Sequence, residues 1–271
     1  MRRLGLTQAT ALATTGMAQL WRVRQADGAP AVLKIYARAD RGNEAAGISL
    51  LAAWADRGAV RILAEDGAAV LMEDLEGPSL GDIARDGDPG QAVAELAAIA
   101  ARLHERPRPN LPDLPPLDAV FAQLLRPQFA PDHDPALRRD ILQAGDIAKR
   151  LLATQPAPCP LHGDLHFDNV ILTASGARVI DAKGYMGDPA YELANALRHP
   201  RGLPDLVRNA DHMRRCAARY ADSLGCDVNR LLAWAAAKCA LSILWRGKGT
   251  VSTDEEADLL ALMLHLSQSE P

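Results

Sequence analysis

One stretch limits the fold and chemistry more than any other: Leu161-His162-Gly163-Asp164-Leu165-His166-Phe167-Asp168-Asn169-Val170-Ile171-Leu172, continued by Arg178-Val179-Ile180-Asp181. Two β-prone runs, 170–173 and 177–180, flank Ala174-Ser175-Gly176, a composition suited to a tight hairpin turn. In an antiparallel hairpin the start of one strand lies beside the end of the other. Asn169, just before the first strand, and Asp181, just after the second, are therefore expected to meet at one edge. Asp164 is close enough along the chain to fold back over that edge, so one amide and two carboxylates converge.

An amide oxygen and a carboxylate are hard donors of the kind Mg²⁺ prefers, and Mg²⁺ takes few protein ligands, leaving room for substrate phosphates. The remaining aspartate can orient a hydroxyl and accept its proton. The residues alone leave two other readings open. His162, Asp164 and His166 could ligate the metal of a hydrolase, or the segment could be a structured polar turn.

The 271 residues suffice for a large core, as one domain or two lobes. A formal charge of −4, with no basic face or tail, argues against a nucleic-acid partner. Alanine and leucine dominate the hydrophobic residues and aromatics are scarce, a helix-rich composition. Cys159, Cys216, Cys226 and Cys239 form no C-x-x-C pair and read as reduced, buried thiols. No window approaches the roughly 18 apolar residues of a membrane span, and the start lacks a sustained apolar core, so a cytoplasmic protein without membrane partners is expected. Nothing in the sequence reads out an oligomeric state.

Along the chain, runs 20–24 and 31–36 read as a hairpin around Asp27-Gly28, and runs 61–65 and 68–73 as another around Asp66-Gly67. Between the two hairpins, Ile48, Leu51, Ala52 and Ala55 recur at helical spacing in a helix over 43–55. After Ser79 the signal is mostly helical: 91–105, 117–125, 135–153, 205–224, 227–245 and 254–266. Asp188 followed by Pro189 is a helix start, and Ser252 with Glu255 forms a capping-box pattern. His104, in the last turn of its helix, suits a cation at a helix carboxyl end.

The spacing of His162, Asp164, Asn169 and Asp181 resembles the kinase catalytic loop H-R-D-x-x-x-x-N followed by D-F-G. It is more similar still to the aminoglycoside phosphotransferase family of small-molecule kinases, whose loop reads H-G-D-x-x-x-x-N ahead of a V-I-D strand. Gly163 stands where a protein kinase has arginine, so control by an activation-loop phosphate is not expected. Within the family, Ile180-Asp181-Ala182-Lys183-Gly184 and Gly187-Asp188-Pro189 resemble the I-D-x-K-G…G-D-P run of streptomycin 6-kinases and hydroxyurea-type phosphotransferases.

The resemblance implies an α+β, protein-kinase-like fold: a small nucleotide-binding lobe over 1–75, with an antiparallel sheet, and a larger helical lobe over 76–271. It implies ATP and Mg²⁺ as cofactors, Asp164 as catalytic base, and Asn169 and Asp181 as metal ligands. Lys34, in Val32-Leu33-Lys34-Ile35, would hold nucleotide phosphates and pair with Glu44, Asp40 being the alternative partner. Met72 would line the back of the pocket, and Glu73 and Leu75 would contact the base at the hinge. Thr15 and Gly16 lie where a kinase has its glycine-rich loop, although this stretch has one glycine and not three. Asp188 and Glu192 fall in a G-D-P-x-x-D-L-A pattern, with Glu192 for the second aspartate, and would face the acceptor. The implied acceptor is a hydroxyl of a small molecule: an aminoglycoside such as streptomycin, or an endogenous sugar or amino alcohol. A nucleotide-binding pseudokinase that regulates a partner is the alternative of a different class.

Overall fold

The computed structural model describes residues 4–111 and 113–268. Five antiparallel strands form the amino-terminal sheet: β1 (Thr7–Thr14), β2 (Ala18–Arg24), β3 (Pro30–Tyr36), β4 (Ile62–Asp66) and β5 (Ala69–Glu73), in the order β1-β2-β3-β5-β4. Both expected hairpins are present, β2–β3 and β4–β5. Strand β1 is an addition to the sequence reading. It is exposed along its whole length, so neither face carries the apolar alternation by which a half-buried strand is recognised. Helix α1 (Ala45–Ala53) follows a 3-10 turn at Gly42–Glu44 and buries Ile48, Leu50 and Leu51.

The larger lobe contains α2 (Leu80–Arg85), α3 (Pro89–Leu103), α4 (Leu117–Phe121), β6 (Gln128–Phe129), α5 (Pro135–Ala153), β7 (Cys159–Leu161), β8 (Val170–Thr173), β9 (Gly176–Val179), β10 (Tyr185–Gly187), α6 (Pro204–Val207), α7 (Ala210–Leu224), α8 (Val228–Arg246), β11 (Thr250–Val251) and α9 (Ala257–Leu266). Helix α8 is its axis: thirteen of its residues are buried, and it packs on α5, α7 and α9. Among the described residues no helix is long and apolar enough to cross a membrane. The fold is α+β and two-lobed, as kinases are.

Two local expectations are corrected. The span 205–224 is divided between α6 and α7, with Asn209 capping the second helix through His212 N–H. The Ser252–Glu255 capping box does not form: α9 begins at Ala257, with Glu256 at the N-cap making no side-chain bond to the helix's own N–H groups. The neighbouring acids Asp254 and Glu256 accept hydrogen bonds from Arg246.

The β8–β9 hairpin is held on both sides. On one side Val60 N–H donates to Val179 C=O at 2.9 Å and Val179 N–H to Gly58 C=O at 2.8 Å; on the other, Leu172 N–H donates to Pro78 C=O at 2.9 Å. These bonds continue the sheet-lobe backbone into the helical lobe and fix the hairpin at the junction. Its turn is Ala174-Ser175 alone, since Gly176 pairs with Thr173 at the positive φ of 107° that a glycine tolerates.

Candidate active site

Pairing of Val170 with Val179 places the two ends of the hairpin side by side, and Ile180 N–H donates to Asn169 C=O at 3.0 Å. Asn169 and Asp181 therefore share one edge, as the hairpin argument requires. The Asn169 side-chain amide donates to Asp164 C=O at 2.9 Å, folding the 164–169 loop over that edge. This uses the amide nitrogen and leaves Oδ1 with no donor among the described residues. Asp164 is oriented by Asn195, whose Nδ2 donates to Asp164 Oδ1 at 2.9 Å.

His162 is wholly buried. Its Nε2–H donates to Ile180 C=O at 2.8 Å, and its Nδ1 accepts from Asp164 N–H at 3.3 Å. Burial holds the ring's pKa down, in keeping with a neutral imidazole spanning the loop and the hairpin end. With both nitrogens engaged, His162 has no lone pair for a metal, and the hydrolase triad of His162, Asp164 and His166 is not assembled. Among the described residues, the cluster whose ligand atoms do come together is His166, Asp168 and His199. There the two imidazoles stack at 3.9 Å, and Asp168 is bonded to Arg85 at 2.9 Å.

Lys34, on β3, donates to Glu44 at 2.7 Å and to Asp181 at 2.8 Å. Asp40, the other candidate partner, binds Arg38 instead. Glu44 also accepts from Lys183 at 2.6 Å, so one carboxylate bridges a lysine from each lobe. Helix α1 reaches this position because two glycines allow backbone contact. A Cβ at Gly47 would lie 1.7 Å from Ala182 O, and one at Gly184, where φ is 73°, would lie 2.7 Å from Ala46 C. Burial opposes the charge on Lys34, but Asp181 and Glu44 outweigh it and hold its pKa above the lysine range. Burial likewise opposes Glu44, whose pKa is nevertheless lowered by Lys183 and Lys34. For Asp164, burial is outweighed first by the charge of Lys238, and the carboxyl pKa stays low.

Between the lobes lies an apolar cleft of about 180 Å³, lined by Leu20 and Val32 from the sheet, Ile171 and Ile180 from the hairpin, and Met72, Glu73, Leu75 and Asp181. Met72 belongs to the core as well as to this wall. The Glu73 carboxylate is occupied by Arg61 and Arg178, and its N–H donates to Arg61 C=O, so neither is free for a ligand. The Leu75 backbone makes no hydrogen bond to a described residue. Thr15 and Gly16 form the β1–β2 turn, where Thr15 Oγ1 accepts from Met17 N–H and Ala18 N–H. A second cavity, of about 480 Å³, opens from Asp164 toward Asn195, Arg198, Arg201, Lys238 and Arg246.

Asp188 and Glu192 do not face that cavity, which corrects the reading from the sequence. Asp188 is buried, accepting from Ala190 N–H at 3.0 Å, Trp234 Nε1 at 2.8 Å and Arg230. Glu192 is buried beneath the catalytic loop, accepting from His162 N–H at 2.9 Å, Gly163 N–H at 3.2 Å and His104 Nε2 at 2.7 Å. His104 is thus a support of the loop rather than only a helix-end cation. Lys183, Asn195 and Lys238 were given no role by the motif. The scarcity of lysine, five in the chain, is the sequence signal that could have found two of them.

A family model for aminoglycoside/hydroxyurea antibiotic resistance kinases matches residues 3–249. The chain belongs to this family. It is similar to streptomycin 3''-kinase of Klebsiella pneumoniae, at 35% identity covering 90% of each chain. It is also similar to streptomycin 6-kinase of Streptomyces griseus, at 29% identity over 82% of this chain and 73% of the relative. Among solved structures, a thermostable mutant of aminoglycoside phosphotransferase APH(4)-Ia, in ternary complex with ADP and hygromycin B, superposes with a TM-score of 0.65 at 13% identity, covering 100% of this chain and 97% of that one. A choline/ethanolamine kinase family protein from Mesorhizobium loti superposes with a TM-score of 0.67 at 17% identity, covering 97% and 89%. The family member described here is a small-molecule kinase, using ATP to phosphorylate an alcohol group.

Proposed function

We propose that the kinase transfers the γ-phosphoryl group of ATP to a small-molecule hydroxyl presented to Asp164, with Mg²⁺ held by Asn169 and Asp181. The observation that carries this is the shared hairpin edge: an unengaged amide oxygen on Asn169, a carboxylate on Asp181 bonded to Lys34, and Asp164 opening onto the larger cavity. The donor set fits the metal, since both are hard oxygens and the Asp181 side chain is 39% exposed to an incoming ion. Mg²⁺ supplies neutralisation of phosphate charge when bound. Lys34 is fixed by Glu44 and Asp181 so that its ammonium faces the phosphate region, and Gly16 offers a backbone N–H group at the β1–β2 turn, where the Thr15 N–H is committed to Ala18 C=O. Met72 and Leu75 flank the adenine, with the free Leu75 backbone available to its polar edge. Asp164, kept ionised by Lys238 and oriented by Asn195, accepts the hydroxyl proton as the oxygen attacks.

In this reading residues 1–75 bind nucleotide and 76–271 carry catalysis and the acceptor, in the cytoplasm where ATP is available. Kinship makes a streptomycin-like aminoglycoside the first acceptor to test. A sugar or amino alcohol of the cell's own metabolism is the second, the cations that line the cavity beside Asp164 favouring the sugar over an amine. Incubation with Mg-ATP and separate panels of aminoglycosides, sugars and amino alcohols, followed by mass spectrometry, tests the proposal. A phosphorylated alcohol is expected. Absence of both nucleotide binding and product would reject it.

A further inference from the structure

We infer that the acceptor carries an anionic group, a carboxylate or a phosphate, that seats on the Lys238 ammonium in the cavity beside Asp164; the inference rests on that cavity being the acceptor site. Lys238 projects from α8, is 5% exposed, and makes no hydrogen bond or ion pair with any described residue. Its marked contact is with the Trp245 ring, 4.4 Å from the ammonium. Asp164 acts on this ammonium across the cavity but makes no ion pair with it, and an ammonium withdrawn from water with no anion in contact is costly, an aromatic face offsetting only part of that cost. Burial accordingly pulls its pKa down to about 8, against the opposing pull of Asp164.

The other cavity charges are already matched. Arg198 donates to Asn195 at 2.8 Å, Ser242 at 2.7 Å and Glu256 at 2.6 Å. Arg246 is paired with Asp254 and Glu256, and Asp168 with Arg85. The acids Asp254 and Glu256, which a polycationic acceptor would need, are thereby consumed. What remains is Asp164 for the hydroxyl, Lys238, and the Arg201 guanidinium, which pairs with no described residue. A polycation would add positive charge beside an ammonium that has no anion in contact, whereas an anionic group would supply one. A cavity of about 480 Å³ accommodates a hydroxyl and an anionic group on one sugar-sized molecule.

Calorimetry on the intact chain tests this. Mg-AMP-PNP is bound first, and then gluconate, sorbitol 6-phosphate, uncharged sorbitol or streptomycin is titrated in. At least one anion is expected to bind more tightly than sorbitol by roughly tenfold or more. The gluconate and sorbitol phosphate arms separate a carboxylate from a phosphate site. Lys238→Met is expected to erase the preference and Lys238→Arg to retain it, with thermal denaturation reporting that each variant is folded. Equal binding of sorbitol and both anions, binding of none, or an anion preference that survives Lys238→Met would overturn the inference. So would streptomycin binding more tightly than both anions. Failure of Mg-AMP-PNP to bind in the first step would instead remove the kinase assignment of the site.

Discussion

Replacing Glu192 by glutamine separates two roles for this residue, facing the acceptor or supporting the catalytic loop. Its carboxylate is 1% exposed and accepts from three donors: His162 N–H and His104 Nε2 on Oε2, and Gly163 N–H on Oε1. Glutamine keeps one oxygen, so its NH₂ group must oppose at least one of those donors. If the oxygen stays with His162 and His104, the amide meets Gly163 N–H head on. One hydrogen bond becomes a repulsion and two others lose the charge that strengthened them, each such bond being worth about 1.5–3 kcal/mol. The expected loss is about 3–5 kcal/mol, the usual cost of disrupting a buried charged network. Urea unfolding at neutral pH measures it. Turnover should fall because the loop carrying Asp164 loses its anchor, while the KM for acceptor should hold. A stability change below about 0.5 kcal/mol, the range of ordinary surface substitutions, together with a raised acceptor KM, would refute the supporting role.

Gly47→Ala should cost about 1–3 kcal/mol or more, because the added methyl meets the Ala182 backbone carbonyl rather than a flexible side chain; thermal melting and the KM for ATP should both register α1 moving off the Asp181 loop. Asp188→Asn should lower stability by about 3–5 kcal/mol through the stranded Arg230, and an altered acceptor KM without that loss would restore Asp188 to the acceptor site. Stability should also fall in acid. Burial holds His166 down to about 3, whereas the unfolded ring titrates near 6.5, so between these values the unfolded chain binds the extra proton. The folded state therefore weakens as pH drops below about 6.5, by at most about 1.4 kcal/mol per unit from this residue. Denaturant titrations at pH 7 and pH 5 check the sign, and greater stability at pH 5 would contradict it.

The hairpin was legible because its chemistry is contiguous and its strands are short β-prone runs around a turn, so residue spacing alone brought Asn169 to Asp181. Helix α5 was legible to its ends, Pro135 and Ala153, because Asp134 caps it and Pro135 begins it. What the sequence hid depends on contacts between distant segments. Asp188 and Glu192 look like acids awaiting a cationic substrate until Arg230, Trp234 and His104 are found against them. Glu256 is hidden in the same way: Arg198 and Arg246, 58 and 10 residues away in sequence, claim its carboxylate. Strand β1 has no buried face and so no period to read. Lys183 and Lys238 stood in view as rare lysines, but only the fold brings one to Glu44 and the other to the cavity.

The central claim is the division of labour between two carboxylates, and one paired measurement tests it: nucleotide affinity and turnover for Asp164→Asn and Asp181→Asn. Asp164→Asn is predicted to leave the Kd for Mg-AMP-PNP unchanged while lowering turnover by roughly 10² to 10⁴, the worth of a positioned general base. Asp181→Asn is predicted to weaken nucleotide binding in Mg²⁺, because it removes a charge from the ion's own ligand set. Equal losses of nucleotide affinity in the two variants, or a loss confined to Asp164→Asn, would contradict the assignment.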